Sequence, residues 1–248
     1  MITYKDVEDK AMPPEKRAEA KGDIFSYYVG RKLTYWMTIP LLYTNITPNT
    51  VTWISIYCLL ASFGVLCFAE TLPFIIIGWA LFFLWSLLDG VDGNIARYKR
   101  QFSKLGDLYD TMGGYLSMAL IYLGFGITAF RTGGILEDYI SIDAEWYIVF
   151  GALSSIFSIF PRLMMHKIIS SYMSTDAVRS VKNKSEYGLV KRLALNVSSI
   201  AGGVMVISFV CILIGAMDVF TIAYFGLNTL KMVAALYSIF NNIKKESN

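Results

Sequence analysis

The chain has 248 residues, of which 55% are hydrophobic, with a formal net charge of +3 and a mean hydropathy of +0.51. A soluble domain is about 45–50% apolar, so long apolar runs, and not an ordinary soluble core, explain the excess. All three cysteines fall inside those runs, which argues against a disulfide framework. The composition predicts an all-α integral membrane protein, and we expect no nucleic-acid partner.

The first 45 residues predict a cytoplasmic and interfacial N-terminal segment. Residues 1–23 mix charges with Pro13 and Pro14, which favours a soluble or partly disordered lead without a cleavable signal. Residues 24–43 combine aromatic side chains with Arg31 and Lys32, a pattern typical of an amphipathic helix in the membrane interface. An irregular aromatic lead-in is the alternative for the same stretch.

Residues 46–248 predict one membrane domain of six transmembrane helices, because about 20 apolar residues cross a bilayer. The predicted spans are Asn49–Ala69, Leu72–Ile95, Leu105–Phe130, Trp146–Ser170, Leu193–Ala216 and Val219–Ile243. A polar loop over residues 172–190 separates the fourth span from the fifth.

The charges between these spans predict the orientation. Lysine and arginine concentrate in the N-terminal lead, in the loops 97–104 and 167–192, and in the tail. The opposite loops are acidic, with Arg131 as their lone cation. By the bias of cations toward the cytoplasm, both termini and the ends of spans two and three face the cytoplasm, in a bacterial inner membrane or an endomembrane.

Carboxylates cluster where span two ends and span three begins. Asp89 and Asp92 share a helix face with Gly93 and Ala96, since residues three and four apart are neighbours. A charge at membrane depth costs roughly 3 kcal/mol if unpaired, so such residues are a functional hypothesis by default. Clustered carboxylate oxygens suit Mg²⁺, Mn²⁺ or Ca²⁺ better than zinc.

The spacing of this cluster resembles the signature of the CDP-alcohol phosphotransferase family, D-x-x-D-G-x-x-A-R, eight residues, G-x-x-x-D. The matching residues are Asp89, Asp92, Gly93, Ala96, Arg97, Gly106 and Asp110. The full family pattern has a fourth aspartate four residues after the third, and this chain has Gly114 there.

The resemblance implies a metal-dependent transferase of class EC 2.7.8. It would move a substituted phosphate from CDP-diacylglycerol or a CDP-alcohol to an alcohol acceptor and release CMP, in phospholipid or related glycolipid or polymer synthesis. It implies a site for two Mg²⁺ or Mn²⁺ ions on Asp89, Asp92, Asp107 and Asp110. Family members are often dimers, so by analogy we expect a homodimer in the lipid bilayer.

The resemblance also implies a nucleotide site. Its expected residues are Asn49, Thr52, Asp89, Asp92, Gly93, Ala96, Arg97 and Gly106. Asn49 and Thr52 open span one behind Thr47 and Pro48, which by themselves fit an ordinary helix cap and first turn. Arg97 pairs with a phosphate or an aspartate in this interpretation; an arginine reaching from a helix end to water is the alternative.

Deeper polar residues are candidates for contacts with the acceptor. Two cations lie at membrane depth: Arg162 in span four and Lys231 in span six, beside Asn228. Cations at this depth suit a polar cavity for an anionic acceptor or a donor phosphate. Structural pairing with an aspartate or with backbone carbonyls is the alternative for both. His166, the single histidine, is interpreted as a bystander at a helix end.

The glycine at position 114 leaves three hypotheses open, because the family's fourth aspartate is its proposed general base. In the first hypothesis another group substitutes: Asp107, three residues before Asp110, completes the metal set or takes the proton, and Asp107 and Asp110 are the catalytic candidates. Alternatively the acceptor needs no base because it carries its own phosphate or phosphonate oxygen. In the third hypothesis the protein is a weak or inactive relative that binds a CDP-lipid.

A small-solute transporter is the rival class. Six spans with intramembrane charges would allow it. The sequence shows no inverted repeat, and its carboxylates lie at one membrane face and not at the midplane, which favours the transferase.

Overall fold

The computed structural model describes residues 1–12, 17, 20–137, 139–171 and 189–246, with side chains described except at 168–171, 189–192 and 242–246. Most of the predicted polar loop 172–190 therefore lies outside the described residues. The described residues form helices and no strands. The helices are α1 Tyr4–Ala11, α2 Arg31–Leu42, α3 Pro48–Phe68, α4 Leu72–Lys99, α5 Lys104–Thr132, α6 Glu145–Ser171, α7 Leu189–Val197, α8 Met205–Leu213 and α9 Met217–Glu246.

Five of these helices are long and apolar enough to cross a membrane. Their candidate spans are Pro48–Phe68, Leu72–Lys99, Lys104–Thr132, Glu145–Lys167 and Met217–Asn241. These correspond to predicted spans one to four and six, so the class of all-helical integral membrane protein is confirmed.

The predicted fifth span, Leu193–Ala216, is wrong as one continuous helix. α7 ends at Val197, and a π-helical turn follows in which Gly202 has the non-helical angles φ −120° and ψ −106°. A side chain at Gly203 would lie 2.4 Å from the Asn196 carbonyl oxygen, so only glycine fits this close approach. The apolar helix that remains, Ile200–Leu213, reaches about 21 Å at roughly 1.5 Å per residue, less than a bilayer core of about 30 Å.

The beginning of the N-terminal lead is a folded helix, α1, which the sequence reasoning did not predict. Thr3 and Asp6 form a capping box: the Asp6 amide donates to the Thr3 hydroxyl, and the Thr3 amide donates to the Asp6 carboxylate at 2.8 Å. Val7 is fully buried where α1 packs on α2 and α4. The spacing Thr-x-x-Asp is a sequence signal for the beginning of a helix, but the sequence reasoning gave more weight to the pair Pro13 and Pro14.

The predicted helix over residues 24–43 is confirmed as a helix. A π-helical turn at Ser26–Gly30 runs into α2. Thr34, Tyr35 and Thr38 form its buried face, whereas Trp36 is 64% exposed. An aromatic face left open suits a membrane interface, and that location stays a prediction.

α3 organises the helices around the cavity end of the molecule. It packs along both α4 and α5, whereas α4 and α5 contact each other much less. α5 packs in turn on α6, and α6 on α9. Space is therefore left between α4 and α5, with the beginning of α3 at its base.

A tight turn joins α4 to α5 and sets their acidic ends against each other. Arg100 adopts left-handed angles, φ 55° and ψ 37°, and Gln101 donates its amide to the Ala96 carbonyl at 2.9 Å. Ser103 then caps α5 by accepting from the Gly106 amide at 2.9 Å. The last turns of α4 and the first turns of α5 consequently border one space.

Candidate active site

A cavity of about 380 Å³ lies between the end of α4 and the beginning of α5, above the first turn of α3. It is lined by Pro48, Asn49, Thr52, Asp92, Gly93, Ala96, Arg97, Gln101, Phe102, Ser103, Gly106, Asp107 and Asp110. Three helices and one turn therefore contribute to a wall that combines charged and polar side chains with apolar ones such as Pro48 and Phe102.

This lining includes nearly all of the nucleotide and metal residues expected from the sequence. Asp89 is the exception, because it lies one helical turn deeper than Asp92 and does not line the cavity. Its carboxylate still interacts electrostatically with Asp92 and Asp110. The fold thus brings all of the expected acidic residues of α4 and α5 into one neighbourhood.

Thr52 holds the carboxylate of Asp92. Its hydroxyl donates to Asp92 Oδ2 at 2.5 Å, and both side chains are buried. Thr52 stands at this point because Thr47 caps α3 by accepting from the Thr50 amide at 3.2 Å, with Pro48 in the first turn. The cap and the contact with the acidic site are therefore both present.

The four carboxylates have no cationic partner at contact distance in the described part of the chain, where the ion pairs within 4.0 Å join Arg17 to α1 and Arg131 to Glu70. Asp107 repels Asp110, and Asp110 repels Asp89 and Asp92. Like charges this close destabilise each other unless a cation joins them.

The donor chemistry of this set fits a hard divalent cation. Among the described residues no three Asp, Glu, His or Cys side chains stand ready to ligate one ion. Mg²⁺ is commonly held by only one or two carboxylates, with substrate phosphates and water completing its shell. Asp92, Asp107 and Asp110 on one cavity wall, with Asp89 behind, supply enough oxygen ligands for that arrangement.

Arg97 is folded back over Gly93 and held from behind. The position of a Gly93 side chain would lie 3.0 Å from Arg97 Nη2, and Nη2 donates to Asn94 Oδ1 at 3.2 Å. The Asn94 amide donates to the hydroxyls of Thr34 and Thr38 on α2, at 3.3 and 3.2 Å. Arg97 Nε is buried without a partner in the described residues, and the Arg97 side chain lines the cavity.

Asn94, Thr34 and Thr38 were missed by the sequence reasoning. Asn94 occupies a variable position of the motif, and the threonines precede it by about sixty residues. The sequence offered one signal, a polar residue near the end of an apolar run, and in the structure Asn94 is 2% exposed.

Gly106 brings the backbone of α5 against Asn49. A side chain there would lie 2.8 Å from Asn49 Oδ1 and 3.1 Å from Ser103 Oγ. The absence of a Cβ atom therefore shapes this part of the cavity wall.

The position of the absent fourth aspartate faces Arg162. A Cβ atom at Gly114 would lie 3.5 Å from Arg162 Nη1, and the guanidinium lies over the Tyr115 ring at 5.2 Å. Arg162 also interacts electrostatically with Asp89 and Asp110. The structure thus brings this predicted acceptor residue to the acidic group.

Lys231 is not brought to the cavity in the same way. It is absent from the cavity lining and from the ion pairs of the described residues. Its neighbour on the same face, Asn228, is fully buried and donates to Ser154 Oγ at 3.1 Å. Contact of Lys231 with an acceptor stays a prediction.

His166, interpreted as a bystander, has a specific neighbour. Its Nδ1 forms a hydrogen bond of 2.9 Å with the Tyr115 hydroxyl, and the two rings meet edge to face. His166 therefore stands behind the tyrosine that underlies Arg162.

A helical membrane protein with carboxylates and a half-buried arginine around one end cavity has the features of an enzyme that handles phosphate groups. The family model for CDP-alcohol phosphatidyltransferases matches residues 45–236, and the chain belongs to this family. Membership implies CDP-alcohol phosphotransferase activity in phospholipid synthesis, of class EC 2.7.8 and typically metal-dependent, with the substrate unspecified. A search of curated proteins found no match.

Proposed function

We propose that this protein transfers a substituted phosphate group from a CDP-linked donor, either CDP-diacylglycerol or a CDP-alcohol, to an alcohol acceptor and releases CMP. The convergence of Asp92, Asp107 and Asp110 on one cavity, beside Arg97, is the observation that carries the proposal. Family membership supports the reaction type.

In this proposal the cavity holds the donor's pyrophosphate and cytidine. Asp89, Asp92 and Asp110 would hold two Mg²⁺ or Mn²⁺ ions, which when bound would neutralise the pyrophosphate and the departing CMP. Arg97 binds a phosphate oxygen through the donors that Asn94 leaves open. The cavity wall leaves room for the nucleotide because its side chains are small or absent at Gly93, Ala96 and Gly106. Asn49 lines the same wall and can donate its side-chain amide to the nucleotide.

Asp107 is the residue we assign to proton removal. It lines the cavity and is close enough to Asp110 to repel it. A carboxylate here can take the proton of the acceptor hydroxyl, the task that the family pattern gives to the aspartate missing at Gly114. Asp110 stays with the metal set.

The proposed membrane arrangement depends on whether the number of membrane crossings is odd or even. Five crossings would place the two termini on opposite sides, whereas the distribution of cations favours both in the cytoplasm. We therefore propose that the interrupted segment Leu193–Ala216, which includes the short helix Ile200–Leu213, makes a sixth crossing and completes the membrane domain of residues 46–248. The protein would act as a homodimer whose cavities open to the cytoplasm.

Purified protein in detergent tests the function directly. CDP with Mg²⁺ or Mn²⁺ should raise the melting temperature, by an amount equivalent to about 2.7 kcal/mol at a hundredfold excess over Kd. CMP should be released from CDP-diacylglycerol or CDP-choline with one member of an acceptor panel, and chelation with EDTA should stop it. Asp89→Asn should lose both effects, whereas Glu70→Gln, an exposed change in the Arg131 ion pair, should keep them.

The same assays identify the rival functions. Stabilisation by CDP and metal without CMP release from any donor and acceptor would indicate an inactive binding protein. The absence of both stabilisation and CMP release would contradict the proposal. Uptake of a solute into vesicles would then favour a transporter.

A further inference from the structure

Arg97 stands beside two carboxylates without pairing with either of them. It lines the cavity together with Asp92 and Asp110, and both charges attract it. Among the described residues, no ion pair within 4.0 Å involves Arg97. Opposite charges that share a cavity draw together unless another contact holds them apart. The fold therefore has to supply a restraint on Arg97.

Asn94 is the neutral group that holds Arg97 back. Arg97 Nη2 donates to Asn94 Oδ1 at 3.2 Å, across three residues of the same helix. Asn94 is 2% exposed, so water does not compete for this oxygen. Arg31 of α2 repels Arg97, and charge alone would therefore not keep the guanidinium on the side of α2. The hydrogen bond to Asn94 is the contact that does so.

Two threonines of α2 determine the direction of this hydrogen bond. The Thr34 hydroxyl donates to the Arg31 carbonyl at 2.9 Å, and the Thr38 hydroxyl donates to the Thr34 carbonyl at 2.6 Å. Because a hydroxyl carries one proton, both can only accept from Asn94. The Asn94 amide donates to them at 3.3 and 3.2 Å. The carbonyl oxygen of Asn94 must then point the other way, toward Arg97.

Asp92 has a matching restraint from another helix. Thr52 of α3 donates its hydroxyl to Asp92 Oδ2 at 2.5 Å. A neutral partner fixes a charged group without neutralising it, whereas an ion pair between Arg97 and Asp92 would neutralise both. The two neutral partners thus leave the carboxylate available to a cation and the guanidinium available to a phosphate oxygen.

Building on the proposed function, we propose that Asn94 is a positioning residue, which keeps Arg97 from pairing with the metal-binding aspartates. Without Asn94, the guanidinium would move onto Asp92 or Asp110 and compete with Mg²⁺ or Mn²⁺ for their oxygens. Asn94 does not line the cavity, and neither does any residue of α2. Its effect on the site therefore passes through Arg97, and α2 supports a metal site that it does not border.

Mn²⁺ binding to the full-length protein in detergent tests this restraint without turnover, with free Mn²⁺ measured by its electron paramagnetic resonance signal. Asn94→Leu has a similar volume but no acceptor. It should raise the apparent Kd for Mn²⁺ by about 10- to 100-fold, the usual value of a hydrogen bond to a charged group. In an Arg97→Met background the same substitution should change the Kd by less than about twofold, the limit expected for independent effects.

Substitutions on α2 provide a second route if Asn94→Leu does not fold. Thr38→Val keeps the shape of the side chain but removes one acceptor of the Asn94 amide, whereas Thr38→Ser keeps the hydroxyl. Thr38→Val should weaken Mn²⁺ binding, by a smaller factor than Asn94→Leu because Thr34 still accepts from Asn94. Thr38→Ser should bind Mn²⁺ like the wild type. Equal binding by both Thr38 variants would contradict the support from α2.

Loss of a buried hydrogen bond elsewhere separates positioning from stability. Ser62→Ala removes the hydrogen bond of 2.6 Å from Ser62 Oγ to the Gly78 carbonyl, between α3 and α4 and away from the cavity. This variant should lower the melting temperature and leave the Kd for Mn²⁺ unchanged. A weaker Mn²⁺ affinity in Ser62→Ala would indicate that any loss of stability disturbs the site, and would overturn the specific role of Asn94.

The outcomes distinguish this inference from the transferase proposal. Asn94→Leu with an unchanged Kd for Mn²⁺, or with equal weakening in the Arg97→Met background, would overturn the positioning role alone. No CMP release from any donor and acceptor, with Mn²⁺ binding as expected, would overturn the transferase proposal alone. A wild-type protein that binds no Mn²⁺ would overturn the metal site, and the restraint with it.

Discussion

Buried aspartates stand at both ends of the helix assembly, and their surroundings differ. At the end away from the cavity, Asp218 is fully buried and accepts hydrogen bonds from the Leu136 amide at 2.6 Å and the Val219 amide at 2.7 Å. It also lies in the first turn of α9, where a negative charge is favourable. At the cavity end, Asp92 accepts from the Thr52 hydroxyl and from the backbone of Gly93, but it also faces the like charge of Asp110.

The difference teaches how to distinguish a structural from a functional charge. Asp218 has partners for both oxygens and closes the loop between α5 and α6 against α9. The carboxylates around Asp92 repel one another and have no ion pair among the described residues. A carboxylate satisfied by the fold stabilises it, whereas a group that the fold leaves uncompensated requires a ligand.

The largest effect expected from this comparison concerns activity at the cavity end. Asp92→Asn or Asp110→Asn should reduce CMP release by at least about 10²- to 10³-fold, the usual effect of losing one electrostatic group at a reacting centre. The melting temperature without ligand should stay the same or rise, because repulsion is relieved. A variant that kept its activity, or that unfolded, would indicate that these aspartates stabilise the fold, as Asp218 does.

The converse change at the other end should cost stability. Asp218→Ala leaves the Leu136 amide buried without an acceptor, which lowers the free energy of unfolding by about 1–3 kcal/mol. Thermal unfolding in detergent measures the loss, and KM of the folded enzyme should not change. Glu70→Ala is the control: it breaks an ion pair in which Glu70 is 69% exposed, so its effect should stay within about 1 kcal/mol.

The cavity end could be predicted from the sequence because its key residues are local. Asp89, Asp92 and Gly93 share one helix, and the short turn to Gly106 and Asp110 leaves little freedom in how the second helix faces the first. Periodicity and motif spacing therefore determine which side chains meet. Nine of the ten residues expected around the metals and nucleotide line the cavity, and Asp89 lies just behind it.

Contacts between distant segments could not be predicted in that way. Asn94 meets α2 across about sixty residues, and Gly114 meets Arg162 across about fifty. Such pairs depend on how helices pack, which a single sequence does not encode as a period. The interrupted fifth span had a local signal, the pair Gly202 and Gly203, but the hydropathy of its flanks is uniform enough to hide a break.

An intermediate effect is expected where a helix backbone touches the cavity wall. Gly106→Ala would place a methyl group 2.8 Å from Asn49 Oδ1, and relieving such overpacking typically costs about 1–3 kcal/mol. We expect a higher KM for the CDP donor with a smaller change in melting temperature. Gly64→Ala, where a new side chain meets nothing within 4 Å, is the matched control. Equal effects from both variants would contradict a role of Gly106 in shaping the site.

The smallest effect tests a carboxylate satisfied by the fold outside the membrane. Hydrogen bonds from the Thr3 hydroxyl and backbone hold the pKa of Asp6 below its usual value of 3.8. Because the folded pKa is depressed, the ionised group stabilises α1 above pH 3.8, and this contribution is lost as the pH falls through the folded pKa. Thr3→Ala should therefore speed hydrogen exchange of the α1 amides at neutral pH, relative to the wild type, and the ratio should approach one in acid. Lys5→Ala, on the same exposed helix, should leave the ratio near one throughout. A Thr3→Ala effect that was independent of pH would assign the stabilisation to the hydroxyl cap alone, and Asp6 would then leave the class of charges that the fold satisfies.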